Sequence, residues 1–347
     1  MNSNDWKISE QVKKIHSDIL VWDMIFPYFD YYLFSYSMGG EMAGHFDPKY
    51  RTLQECSKAG CDCVGLTVGG SLTNISMTMK TLATNRAYFT ANRDKYIIVE
   101  KVDDIIRAHE QGKLAVVMNF QGSDTLEGDA DMVEIYYKLG IRSMLLTYNV
   151  RNAAGSGCHE RTDDGLSNFG FKVVKEMNRV GMLVDASHTG YRTTMDIFDA
   201  SEAPVVFTHS NPFSLTEHPR NIKDDQIMAC ARTGGVVGVV GFDAFLPGKV
   251  ATVEALGDTI DYLVEKTGIE HVGLGLDWMY PEKMFREVLA INRTAYAKGH
   301  YETEANFIRP SELPKITENL LSRGYKEKDV RAIMGENWLR VAKLVWK

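Results

Sequence analysis

Short apolar segments recur along the chain, and most are followed by a stretch with the spacing of an amphipathic helix. Eight such segments can be counted, at residues 19–26, 63–69, 115–121, 143–149, 182–188, 204–210, 235–242 and 271–278. Their nearly continuous apolar character is typical of parallel strands that are covered on both faces. Eight units of this kind predict an α/β fold, a closed (β/α)8 TIM-like barrel.

Between the apolar segments, helices are predicted at residues 167–181, 190–202 and 252–268. The first of these opens with a Ser or Asn cap and ends at Gly181. The C-terminal segment 326–347 predicts one or two amphipathic helices, with a break at Gly335. We expect residues 1–347 to form a single barrel domain with N-terminal and C-terminal helical extensions.

Composition restricts the range of partners. The chain has 347 residues, is 44% hydrophobic and 24% charged, and carries a formal net charge of −7. No run of Lys or Arg is long enough to bind nucleic acid phosphates. The first 18 residues are polar, and no stretch approaches the roughly 18 apolar residues of a membrane span. These features predict a cytoplasmic protein without a nucleic acid or membrane partner, whose five cysteines are reduced and mostly buried.

Polar side chains follow several of the predicted strands. In barrels of this kind, catalytic groups lie at the C-terminal ends of the strands and in the loops that follow. The long polar loop at 149–170 is typical of a functional loop. The candidate site residues at the strand ends are Gln121, Tyr148, Asn149, His188, His209 and Asp277.

His188, His209 and Asp277 carry the sharpest chemical signal. Each is a residue type that binds Zn²⁺, and all three are predicted at the same rim of the barrel. A histidine near a strand end can also be a hydrogen-bonded core residue. Three together favour a site, because a barrel needs no histidines at its rim for stability.

Three further charged residues stand close to these candidates. Arg220 follows the sixth strand and can hold a substrate carboxylate, or it can pair with Asp224 or Asp225 in its own loop. Asp185 precedes His188 on one strand and can accept a proton from an imidazole or cap a helix. Asp23 shares a strand face with Ile25 and, if buried, needs a partner that the sequence does not identify.

Several motifs together resemble the membrane (renal) dipeptidase family of the amidohydrolase superfamily. They are KKIHSDILVWD, GLSNFGFKVVKEMNRVGMLVDASHTG, APVVFTHSNPFS, HPRNIKDDQI, GLGLDW and GENWLRVAKLV, in order from about residue 12 to the C-terminus. The resemblance implies a distorted (β/α)8 barrel of the metal-dependent hydrolase type, and a homodimer. It also implies hydrolysis of dipeptides at a two-zinc centre.

Carried over by position, the resemblance gives an incomplete metal site. The family's His-x-Asp pair after the first strand falls on Ile25 and Pro27, and its bridging glutamate falls on Gln121. Its substrate-binding histidine falls on Tyr148. The residues that match are His188 and His209 as metal ligands, Arg220 as the binder of the substrate carboxylate, and Asp277 as ligand and proton acceptor.

Because a two-metal centre needs an anionic bridge, the sequence predicts one zinc ion or none. The first hypothesis is a dipeptidase-like metallohydrolase that acts on a small amide substrate bearing a carboxylate. It uses His188, His209 and Asp277 at the metal, and Tyr148 to stabilise the developing oxyanion. Arg220, Tyr148, Gln121 and Asn149 are its predicted substrate-binding residues.

Two alternatives remain open at this stage. One is a metal-independent acid/base enzyme, a lyase, isomerase or cyclase, that acts on a specialised metabolite in the same pocket. The other is a non-catalytic protein that binds a small molecule.

Overall fold

Eight parallel strands form the barrel that the apolar segments predicted. The computed structural model describes residues 8–26, 49–71, 73–279 and 303–347, together with residues 285, 289, 296 and 301. In the sheet, neighbouring strands follow the order β7-β6-β5-β4-β2-β1-β9-β8. The strands are β1 (Trp22–Phe26), β2 (Cys63–Gly70), β3 (Tyr96–Ile98), β4 (Leu114–Gln121), β5 (Ile141–Leu145), β6 (Leu183–Asp185), β7 (Val205–Val206), β8 (Val237–Val239) and β9 (Val272–Leu274).

The ring closes between β7 and β8. Phe207 and Val237 form a parallel bridge, and the Gly238 N–H donates to the Phe207 carbonyl oxygen at 2.7 Å. The strand β3 lies outside this ring and pairs only with β4. The sequence pattern missed β3, because three residues with two of them only half-buried give no long apolar run.

Helices cover the outside of the barrel. They are α1 (Glu10–Asp18), α2 (Lys49–Lys58), α3 (Ile75–Ala91), α4 (Val102–Glu110), α5 (Met132–Lys138), α6 (Asn168–Val180), α7 (Tyr191–Ala200), α8 (Asp224–Arg232), α9 (Val253–Thr267), α10 (Leu313–Ser322), α11 (Glu327–Arg331) and α12 (Asn337–Val345). The three helices predicted between strands are confirmed as α6, α7 and α9. The Ser167 hydroxyl caps α6, and Gly181 ends it with a φ of 87°, which glycine adopts without strain.

The C-terminal helices close the bottom of the barrel. The predicted break at Gly335 is a π-helical turn between α11 and α12. A Cβ at Gly335 would lie 2.4 Å from the Leu20 carbonyl oxygen, so only glycine permits this close approach. Trp338 of α12 donates its indole N–H to the Leu274 carbonyl oxygen at 3.0 Å.

Trp338 belongs to an apolar cluster with residues from the first halves of several strands, including Trp22, Cys63, Ala115 and Leu183. This end of the barrel is therefore filled by side chains, which leaves the C-terminal ends of the strands for chemistry. All five cysteines are free, and four of them are buried. Within the described part of the chain, no helix combines the length and apolar character needed to cross a membrane.

Candidate functional site

His188 and His209 meet directly at the C-terminal rim. His188 follows β6, and His209 follows β7. Their Nε2 atoms lie 2.9 Å apart, and the two ring centroids are 4.9 Å apart. The side chains are 7% and 0% exposed, so no bulk water separates them. The structure thus brings together the two histidines that the sequence assigned to a metal.

Asn149 fixes the proton position on His188. The carboxamide oxygen of Asn149 lies 2.7 Å from His188 Nδ1 and also accepts a weak hydrogen bond from the Cys158 thiol at 3.4 Å. A carboxamide oxygen only accepts, so Nδ1 must carry the imidazole proton. In the neutral ring, Nε2 of His188 therefore presents a lone pair.

Thr208 fixes the proton position on His209. The Thr208 hydroxyl donates to the Asp185 carboxylate and lies 2.7 Å from His209 Nδ1. Because the hydroxyl donates its hydrogen bond to Asp185, it accepts a hydrogen bond from the Nδ1–H group of His209, which leaves a lone pair on Nε2. Asp185 also accepts hydrogen bonds from the backbone N–H groups of Ser187 and Thr208. From the sequence, Asp185 was a candidate for direct contact with an imidazole. The structure instead places the Thr208 hydroxyl between Asp185 and His209.

Both imidazoles are held in the uncharged form. Burial, followed by the positive charge of Arg220, lowers the pKa of His188 and of His209 well below 6.5. Two neutral rings whose lone pairs face each other at 2.9 Å repel unless an electrophile lies between them. Imidazole nitrogens in this state, with the opposite N–H held by a hydrogen bond, are the usual protein ligands of zinc.

The other positions that the resemblance assigns to a two-zinc centre provide no anionic ligand within the described part of the chain. Ile25 is 1% exposed and offers only a hydrocarbon side chain, while Pro27 lies outside the described residues. The Gln121 amide nitrogen donates to Thr67 Oγ1 at 2.8 Å, and Thr67 in turn donates to Asn119 Oδ1. Gln121 is thus part of a neutral network between β2 and β4. These side chains do not fit a second cation, which needs anionic donors.

Asp277 does not form a three-ligand group with the two histidines. Within the described residues, no three His, Cys, Asp or Glu side chains are grouped so that they could bind one metal ion. Burial raises the pKa of Asp277 to about 7, with Arg220 opposing the shift and Asp23 adding to it. The three-ligand set of His188, His209 and Asp277 therefore remains a prediction. The pKa of the Asp277 carboxyl, near neutrality, suits a group that transfers protons.

Arg220 is a buried cation that contacts the backbone of His209. Its side chain is 2% exposed and donates to the His209 carbonyl oxygen at 2.8 Å and to Ser210 Oγ at 3.1 Å. Its Nε has no hydrogen-bond partner among the described residues. A guanidinium group buried in this way is stabilised when an anion binds to it.

Tyr148 lies flat against His188. The ring centroids are 4.0 Å apart with an interplanar angle of 22°, and the Tyr148 hydroxyl lies 2.7 Å from the Tyr296 hydroxyl. Burial raises the pKa of Tyr148 well above 10, so the phenol stays protonated and can donate a hydrogen bond. The sequence gave no sign of Tyr296, which belongs to no strand end.

Three of the candidate site residues have strained backbone conformations. Asn149, His188 and Asp277 have φ values of 59°, 63° and 58°, in the left-handed region that residues with a Cβ rarely adopt. Such conformations persist where the surrounding structure imposes them, and they cluster at functional sites. The site predicted from strand ends thus coincides with local strain.

Comparison with known proteins places this geometry in a family. A family model described as "Membrane dipeptidase (Peptidase family M19)" matches residues 38–289. An uncharacterized dipeptidase of Schizosaccharomyces pombe is 39% identical over 188 residues, which are 52% of this chain and 45% of that protein. Dipeptidase verJ of Clonostachys rogersoniana is 29% identical over 250 residues, 72% of this chain and 60% of that protein. The matches therefore span about half the length of these curated relatives.

A solved structure of an amidohydrolase from Pseudomonas aeruginosa superposes on nearly the whole chain. It is 30% identical, has a TM-score of 0.84, and the match covers 96% of this chain and 99% of that one. The barrel is thus shared by proteins of similar sequence.

Proposed function

The chain belongs to the membrane dipeptidase family, and from this premise we propose that it hydrolyses a small amide or dipeptide-like substrate that bears a carboxylate. The observation that carries the proposal is the pair of neutral imidazoles at His188 and His209, whose Nε2 lone pairs converge. We propose that the pair holds at most one zinc ion. A zinc ion bound there would supply Lewis-acid activation of water and of the scissile carbonyl group.

The chain's own residues provide the other functions. Arg220 binds the substrate carboxylate, because its buried guanidinium has a free Nε and no bulk water to satisfy it. Asp277 acts as the proton acceptor, since its pKa near 7 lets it take and release a proton at neutral pH. Tyr148 keeps its proton and donates a hydrogen bond to the oxyanion that develops.

The experiment is a hydrolysis assay on a panel of dipeptides, with wild type, His188→Ala and His209→Ala. The proposal expects release of free amino acids by wild type, loss of activity in EDTA, and recovery with zinc. Both alanine variants are expected to lose activity, whether or not zinc is added. Failure of wild type to cleave any member of the panel with zinc present would contradict the proposal.

One observation favours a second candidate, a metal-independent acid/base enzyme. Among the described residues, His188 and His209 meet without a third metal-ligating side chain, and a third protein ligand is usual in catalytic zinc sites. A proton shared between the two Nε2 atoms would also satisfy the converging lone pairs. Under this alternative, turnover persists in EDTA with a bell-shaped pH profile.

A further inference from the structure

A cavity of about 400 Å³ has Tyr148 in its wall, the residue whose ring stacks on His188. It is bounded by the segments that follow β2, β4 and β5. Among the residues that line it are Ser71, Thr73, Asp124, Tyr148, Arg151 and Asn152. Tyr148 thus belongs both to the cavity wall and to the surroundings of the imidazole pair. The volume is that of a small ligand pocket.

Asp124 has one unsatisfied carboxylate oxygen in this wall. Its Oδ2 atom is buried and has no hydrogen-bond partner among the described residues. Burial raises the pKa of the Asp124 carboxyl, and hydrogen bonding from Asn152 and Ser71 opposes that shift. A buried carboxylate oxygen without a partner carries a desolvation penalty that a bound cation would remove.

Arg151 is the other charged residue among the described residues of the lining, and it is already neutralised. Arg151 Nη1 lies 2.5 Å from the Asp164 carboxylate, and Nη2 donates to the Thr162 carbonyl oxygen at 2.8 Å. The guanidinium group is thus committed to its own loop. The other described residues that line the cavity, such as Ser71 and Thr73, are neutral. Among the described lining residues, Asp124 is therefore the charged group that no ion pair neutralises.

We propose that this cavity binds a primary ammonium group on an arm of the substrate, with Asp124 as its anionic partner. The proposal rests on the proposed function in one respect, that the substrate also places a carboxylate on Arg220. A substrate of this class carries both an anionic and a cationic end, as a dipeptide with a lysine-like side chain does.

The test uses two matched pairs of dipeptides, Ala-Lys with Ala-norleucine and Lys-Ala with norleucine-Ala. Norleucine is lysine without its terminal ammonium group. Apparent dissociation constants come from the concentration dependence of thermal stabilisation, and kcat/KM is measured wherever cleavage occurs. We expect wild type to prefer the lysyl member of at least one pair by about tenfold or more, because a charge-assisted hydrogen bond is gained.

Asp124→Asn should bring that ratio close to one, while the exposed control Asp131→Asn should keep the wild-type ratio. Equal binding of the lysyl and norleucyl members by wild type would overturn the proposal without any variant, as would an Asp124→Asn protein that retains the preference. Hydrolysis without a lysyl preference would remove only the cavity assignment. A lysyl preference without hydrolysis would instead remove the proposed function and leave the cavity assignment standing.

Discussion

The Nε2 atoms of His188 and His209 face each other at 2.9 Å, while the Nδ1 atom of each ring lies 2.7 Å from an oxygen that accepts a hydrogen bond from it. Asn149 and Thr208 supply these two oxygens. The pair therefore has a defined tautomer on both sides, which prepares two nitrogen lone pairs for one electrophile.

Replacing Thr208 by valine should weaken zinc binding about 10- to 100-fold, because the group that orients the His209 ring is lost. The measurement is the zinc dissociation constant from competition with a chromogenic chelator. Thr259→Val is the matched control, since Thr259 is also buried but donates to the Ala255 carbonyl oxygen within α9. Equal zinc affinity of the Thr208 variant and wild type would show that the tautomer argument is wrong.

Tyr148→Phe should lower kcat about 100-fold and change KM far less, because the ring stack on His188 remains while the hydroxyl that stabilises the oxyanion is lost. Steady-state kinetics on the best dipeptide of the panel measures the effect. The control is Tyr191→Phe, which removes an exposed hydroxyl bonded to Asp225. A kcat equal to that of wild type would remove Tyr148 from the mechanism.

Arg220→Lys should abolish most of the preference for a free carboxylate over its amidated analogue. A lysine cannot form the two parallel hydrogen bonds of a guanidinium fork, so we expect the ratio of kcat/KM values to fall by roughly tenfold or more. The exposed substitution Arg192→Lys is the control. If the ratio stays at its wild-type value, the substrate carboxylate does not bind at Arg220.

The buried carboxyl of Asp23 should make the free energy of unfolding depend on pH. Burial raises the pKa of its carboxyl from 3.8 to about 7, while the backbone N–H groups of Leu276 and Ile25 oppose the shift. With a raised pKa in the folded state, the stabilising contribution of the protonated form is complete below about pH 4. That contribution is lost as the pH rises to about 7.

Wild type should therefore lose stability relative to Asp23→Asn between pH 4 and pH 7, by at most about 1.4 kcal/mol per pH unit. Above pH 7 the difference should stay constant. Urea unfolding of both proteins at pH 5, 6, 7 and 8 measures it. A difference that does not change between pH 5 and pH 7 would mean that Asp23 is ionised in the folded protein.

Much of the fold could be predicted from the sequence, since long apolar runs define buried parallel strands. All eight segments are strands of the barrel, although the regular part of β6 is only Leu183–Asp185 and that of β7 is Val205–Val206. Beyond these points the chain leaves the sheet, which is how His188 and His209 turn towards each other. A run of apolar residues does not show at which residue the regular strand ends and the loop begins.

The site was predicted only in part. Residue type and place in the chain gave His188, His209 and Arg220, whereas their partners depend on contacts across the barrel. Among these partners, Thr208 alone could have been suspected from the sequence, because its hydroxyl immediately precedes His209. Asn149 was predicted to bind substrate, and the structure shows that its side chain contacts His188. Asp124 gave no signal, because its importance comes from an unpaired oxygen in a cavity.

We propose that this barrel holds at most one zinc ion, at His188 and His209, because among the described residues Ile25 and Gln121 offer no anionic donor at the positions of a second site. The most direct measurement is the zinc content per chain after purification without chelators, loading with excess zinc and desalting. The account predicts no more than one ion per chain in wild type and none in His209→Ala. Two ions per wild-type chain would contradict it.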